Sequence, residues 1–239
     1  MHPDEPVLQH MQALIDAWEA AGDRRAIFLS CYSMMTRNML VEVQAGGFED
    51  NAWVAALLQR FAEYYFVALD AYEHASHTAP LVWRETFGAA GQPSTHVLQN
   101  LILGVNAHIN YDLVFALADV LRPTWQDLSP EQRQQRYRDH CHVNEIIFQT
   151  IDSVQDQVIE RYNSTMDLLD RWMGPLDEWL TSKMISAWRE QVWQQATQLV
   201  ELRHAASYQA LQQDVEQRSC QRARMILGDA GLAGFLSLL

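Results

Sequence analysis

Four polar side chains stand at alternate positions inside an otherwise apolar run. They are Asn106, His108, Asn110 and Asp112, within the stretch from Leu101 to Leu117. A buried polar group without a partner is strongly unfavourable. Four of them in one apolar helix must be met by each other, by side chains from elsewhere, by water or by a metal ion. At about 100° per residue, Asn106 and Asn110 share one stripe of the helix, and His108 and Asp112 share nearly the opposite one. An imidazole and a carboxylate four residues apart can reach a common ion, and such a pair is an ordinary element of zinc or iron sites.

A second polar set lies further on, in Arg138 to Glu145. The apolar face of that helix is Val143, Ile146, Ile147, Ile151, Val154 and Val158. His140 and Asn144 fall on this inward face, and Asp139 lies near its edge. His142, Glu145, Gln149, Asp152 and Asp156 make a separate, solvated stripe. The expected site is therefore a divalent metal, zinc or iron, on His108 and Asp112, completed by His140 or Asp139. The metal would bring a bound water to a near-neutral pKa and polarise a substrate oxygen. Asn144 and Asn110 would orient the substrate or the ligands, with Asn106 and Tyr111 beside them.

This reads as a metal-assisted hydrolase of a small ester or phosphoester, with His108, Asp112, His140 and Asn144 as its catalytic residues. Two other readings stay open. One is an enzyme of secondary metabolism that uses a helical pocket for positioning or oxidation; a long apolar pocket would favour it. The other is a non-catalytic binding or scaffold bundle, whose Asn, His and Asp side chains form a closed network that fixes helix register.

The elements that must position these residues are helices. Strand signals are nearly absent, and Gly, Pro and capping residues punctuate the chain at helical intervals. A helix over about Pro6 to Ala21 ends at Gly22. Asp23 caps a second, which stops at Gly46-Gly47, and Asp50 caps a third. A short helix follows Pro80. Ser94 opens the polar-cored helix, which runs to Leu121. Ser129-Pro130-Glu131-Gln132 starts the next, running to about Tyr162. The connection between these two is short, which favours antiparallel neighbours with the site between them. A last long helix is expected from about Pro175 to Gln217. The whole is an all-α, single-domain bundle of seven to nine helices over residues 1–239. Residues 1–25 and the apolar tail 228–239 are peripheral, and the tail is read as docking on the body or as a homodimer contact.

Composition narrows the partners. The chain carries 17 Lys and Arg against 30 Asp and Glu, a formal charge of −13, so nucleic acid is not expected as a partner. With 49% hydrophobic residues it can bury a sizeable core, yet no uninterrupted apolar run is long enough for stable membrane insertion. Met1 to Glu5 shows no secretory leader pattern. Three scattered cysteines, Cys31, Cys141 and Cys220, fit a reducing, cytoplasmic setting. The expected partner is a small-molecule substrate. Arg37, beside Met34, Met35 and Met39, is a weaker candidate for an anionic substrate.

The string Leu103 to Leu113, then Tyr137-Arg138-Asp139 with Val143-Asn144, then Val154-Gln155-Asp156, resembles a bacterial family catalogued as domain-of-unknown-function family 5995. The likeness covers about residues 30 to 195. It implies no activity, but it groups Asn106, His108, Asn110, Asp112, Asp139 and Asn144 together. Gly104 followed by His108 and Asp112 is also similar, more weakly, to the all-helical zinc-dependent phospholipase C and P1 nuclease group. That group's further histidine has no counterpart here, so the likeness implies at most one reduced metal site.

Overall fold

The computed structural model describes residues 5–162 and 178–228. Among these residues it is all-α, as expected, and contains no strand. Helix α1 spans Glu5–Ala21 and stops where Gly22 turns left-handed at φ 68°, a conformation that a Cβ disfavours. Helix α2 spans Arg25–Ala45. The Asp23 side chain accepts from the Arg25 amide at 2.9 Å, and Gly46, at φ 76°, ends the helix. Helix α3 spans Asn51–Ala75, with Asp50 accepting from the Trp53 amide.

Helix α4 spans Leu81–Ala90 and α5 spans Val97–Ala107. The cap of α5 is His96, not Ser94. Its imidazole accepts from the Leu98 amide, while Gln99 reaches back to the His96 amide. An extended backbone and a Gln three residues on let the His serve where a hydroxyl was expected. Helix α6 is Leu113–Leu121, and α7 is Pro130–Val154. Ser129 and Gln132 exchange hydrogen bonds at the start of α7, as the sequence signalled.

The chain from His96 to Leu121 is not one regular helix. Residues His108–Asp112 form a π turn between α5 and α6. A second π turn, Gln155–Ile159, follows α7 and leads into Glu160–Tyr162. Helix α8 spans Glu178–Glu201 and α9 spans Ala205–Leu227. The single long helix expected to Gln217 is thus two. Neither Gly nor Pro marks the break, because packing decides it: α8 lies against α6 and α7, whereas α9 lies against α4 and α5. The expected break at Gly174-Pro175 and the docking of the tail, residues 229–239, fall outside the described residues.

The rod α5, π turn, α6 runs through the centre. Its first half packs on α2, α4 and α9, and its second on α3 and α8. This is the burial on every side that an all-round apolar helix predicts. The stretch Val97–Leu121 is long and apolar enough to cross a membrane by length and composition, and 83% of its most apolar window is buried inside the protein. Helix α1 lies along α2, with Met11, Ile15 and Trp18 buried.

The expected pairing of α7 with α5–α6 does not occur. Helix α7 packs mainly on α2 and α8. The physical reason lies in α8, whose Val192, Ala196 and Leu199 are fully buried in one cluster with Leu113, Leu117 and Leu121. They cover the α6 face that α7 would have taken.

Gly104 sets how closely α2 approaches α5. A Cβ there would lie 2.3 Å from Cγ of Phe28, a ring root that is itself buried. Gly104→Ala is therefore expected to cost about 1–3 kcal/mol by overpacking, despite alanine's better helix propensity. Urea unfolding measures it, and a stabilised variant would show that Phe28 moves aside freely.

Candidate functional site

The helices α2, α3, α5, α7 and α8 enclose a cavity of about 200 Å³. Its wall is mostly aliphatic and aromatic, from residues such as Phe28, Met35, Phe61, Ile102 and Ile147. His108, Asp139, His140, Thr150 and Arg189 also reach it. The polar residues singled out in the sequence do not converge there as one group. They separate into three networks.

The first network is His108 with Asp112. The π turn places His108 Nδ1 at 3.0 Å from Asp112 Oδ2. Trp83 Nε1, from α4, donates to both carboxyl oxygens at 3.0 and 3.1 Å. His108 is 4% exposed and Asp112 1%. The imidazole stacks on Phe61 with centroids 3.6 Å apart and meets Tyr32 edge-on. Burial pushes the Asp112 carboxyl well above its usual range, opposed by the Trp83 hydrogen bond, and pushes the His108 imidazole well below its own. Both shifts favour the neutral form of each partner, a carboxylic acid donating to a neutral imidazole. Its Nε2 is buried and has no hydrogen-bond partner.

This pair can do one kind of chemistry. If Nε2–H passes its proton to a bound acceptor, the Asp112 proton can move to Nδ1. The carboxylate left behind is then met by Trp83 Nε1–H and by the new Nδ1–H. The Trp83 donor to the developing anion is in place before the transfer.

The second network is the asparagine stripe. Asn110 Nδ2 donates to Asn106 Oδ1 at 3.1 Å, and Asn106 Nδ2 donates to the Ser219 carbonyl on α9. The Ser219 hydroxyl donates to the Asn110 carbonyl at 2.9 Å. These bonds tie the π turn to α9 and face away from the cavity wall. Tyr111 packs on Phe115 and does not line the cavity either.

The third network is on α7. Both Asp139 oxygens accept backbone amides, from Glu49 at 2.8 Å and Asp50 at 2.9 Å, fixing the loop before α3. His140 Nε2–H donates to the Arg189 carbonyl at 2.9 Å. Arg189 Nη2 donates to the His140 carbonyl at 2.7 Å and lies 3.3 Å from His140 Nδ1. Arg189 Nε donates to Asn144 Oδ1 at 2.7 Å. Burial and the neighbouring guanidinium hold His140 well below its ordinary pKa.

These residues do not fit the divalent metal that their types suggested. Asp139 has both oxygens engaged, His140 is flanked by a cation, and His108 offers a single nitrogen. Among the described residues, no three His, Cys, Asp or Glu side chains cluster as ligands. Asn144 Oδ1 is engaged by Arg189 Nε. Helical spacing paired the right residues within one helix, but the partners across helices depend on register.

Two participants were missed. Trp83 reads in sequence as an ordinary core aromatic, and nothing there ties it to Asp112. Arg189 did carry a signal: it sits on the apolar stripe of α8 with Ile185, Val192 and Trp193. It is 5% exposed. Arg37, by contrast, is exposed and lies off the cavity.

Sequence comparison matches residues 5–229 to a family described as "Family of unknown function (DUF5995)". The chain belongs to this family. The match extends the likeness of residues 30 to 195 over α1 and α9, so the whole bundle is the family's unit. No curated protein and no solved structure matches the chain, so the likeness to zinc phospholipases and P1 nuclease gains no support.

Proposed function

We propose that this chain positions a small, mostly apolar molecule in the cavity between α2, α3, α5, α7 and α8, with the His108–Asp112 pair as its proton donor. This is the helical-pocket reading, and one observation carries it: an apolar cavity of about 200 Å³ lined in part by His108, a buried imidazole with one unpartnered nitrogen. Ligand sites are typically apolar concavities with few polar groups, and drug-sized molecules take about 300–1,000 Å³. A smaller ligand suits this one. Buried polar atoms without partners are rare in folded proteins and point to function. Trp53, which also lines the cavity, has a second such atom in Nε1. A ligand acceptor reaching either donor gains a bond that the protein itself leaves unmade. The same proposal places the chain in the cytoplasm, in keeping with three free cysteines.

Binding of the small neutral fluorophore 1-aminoanthracene, sized for a cavity of about 200 Å³, tests the reading. Wild-type protein is expected to bind it with a blue shift in emission. Ile147→Trp fills the cavity from its rim, and affinity should fall by about tenfold or more with the melting temperature nearly unchanged. Dye binding that ignores the plug would place the ligand elsewhere.

A further inference from the structure

Arg189 is a buried cation on the wall of an apolar cavity, and its charge is not matched among the described residues. Among the described residues, no carboxylate forms an ion pair with it. Its protein acceptors are neutral: the His140 carbonyl, His140 Nδ1 and Asn144 Oδ1. Asp139, the acidic group on the same wall, is turned to the Glu49 and Asp50 amides. Burial pulls the guanidinium down to about 10, which still leaves it charged at neutral pH. A buried charge with no opposite charge is among the least favourable things a fold can hold. Nε and Nη2 are engaged with α7, whereas Nη1 makes no hydrogen bond with any described residue.

We propose that Arg189 receives the headgroup of the cavity's ligand through Nη1, and that this ligand is a small apolar molecule with a single carboxylate. The proposal rests on the cavity being a ligand site. A carboxylate suits the geometry better than a phosphate. One open guanidinium nitrogen offers an end-on contact, and no second cation faces the cavity among the described residues. The apolar walls take the remainder of the molecule, and the −13 formal charge of the chain makes a buried anion site unexpected unless a specific cation creates it.

The test is displacement of 1-aminoanthracene from the full chain by octanoate and by octanol at neutral pH. These probes share an apolar tail and differ in charge. Octanoate should displace the dye from wild type at about tenfold lower concentration than octanol. Arg189→Gln keeps a donor for the α7 carbonyl, and it should abolish this preference while leaving octanol unchanged. Arg189→Lys should restore part of it. Equal displacement by the two probes in wild type overturns the proposal and leaves the cavity as a site for neutral molecules. So does an Arg189→Gln variant that weakens both probes alike, since that is the mark of a purely structural arginine. The wild-type comparison needs no variant, so it decides the matter even if Arg189→Gln misfolds. 1-Aminoanthracene binding that Ile147→Trp does not affect removes the cavity reading, and this proposal with it.

Discussion

Replacing Asp112 with alanine is expected to lower the unfolding free energy by about 3–5 kcal/mol. The substitution removes the shared partner of two buried groups at once. Trp83 Nε1–H and His108 Nδ1 are both left facing a dry core, with a small void between them. Asp112→Asn should cost only about 1 kcal/mol. Its amide oxygen accepts from Trp83 and its amide N–H donates to Nδ1, as the protonated carboxyl does. Urea unfolding of the two variants measures the contrast. Equal and large losses would mean that the fold holds Asp112 as a carboxylate, and that the resting pair carries one proton fewer.

A stability maximum near pH 6.5 is the second expected result, and three buried groups set it. In the unfolded chain Asp112 titrates near 3.8, and His108 and His140 near 6.5. Burial in the fold raises the first well above that value and lowers the other two well below theirs. Between about pH 4.5 and 6.5 the unfolded chain has both imidazoles protonated and the carboxylate bare. In the fold, burial favours neutral imidazoles and a protonated carboxyl. His108 and Asp112 together bind one proton in either state, so their contributions cancel.

His140 remains. There the unfolded state binds one proton more, so stability rises with pH by about 1.4 kcal/mol per unit. His96, part-buried and also lowered by burial, adds in the same direction. Above pH 6.5 the balance inverts. Unfolded His108 and His140 are neutral, but the fold still holds the Asp112 proton. Stability then falls by about the same amount per unit until the folded carboxyl ionises. Urea midpoints across this range read the profile directly. His140→Gln should flatten the acid limb, and Asp112→Asn should flatten the alkaline one. A wild-type profile flat on both sides would show that these groups titrate in the fold as they do in the unfolded chain.

The sequence by itself determined the class of the fold and much of its punctuation. Gly22, Gly46, Asp50 and Ser129 act where their local chemistry predicts, because caps and left-handed turns are settled within a few residues. The all-round apolar run containing Asn106 and Asp112 could only be a central rod, and it is. Helical spacing also paired Asn106 with Asn110 and His108 with Asp112, since contacts four residues apart belong to one helix.

What only the tertiary structure decided is what each of these pairs meets. Asp112 meets Trp83 of α4, the asparagines meet Ser219 of α9, and Asp139 meets the amides before α3. The cavity forms among five helices, and the buried cation Arg189 on its wall comes from α8, far along the chain from His108. Such meetings depend on how far each helix slides and turns against its neighbours. That is fixed by the volumes of side chains across the whole core, such as Gly104 against Phe28, and no short stretch of sequence carries it.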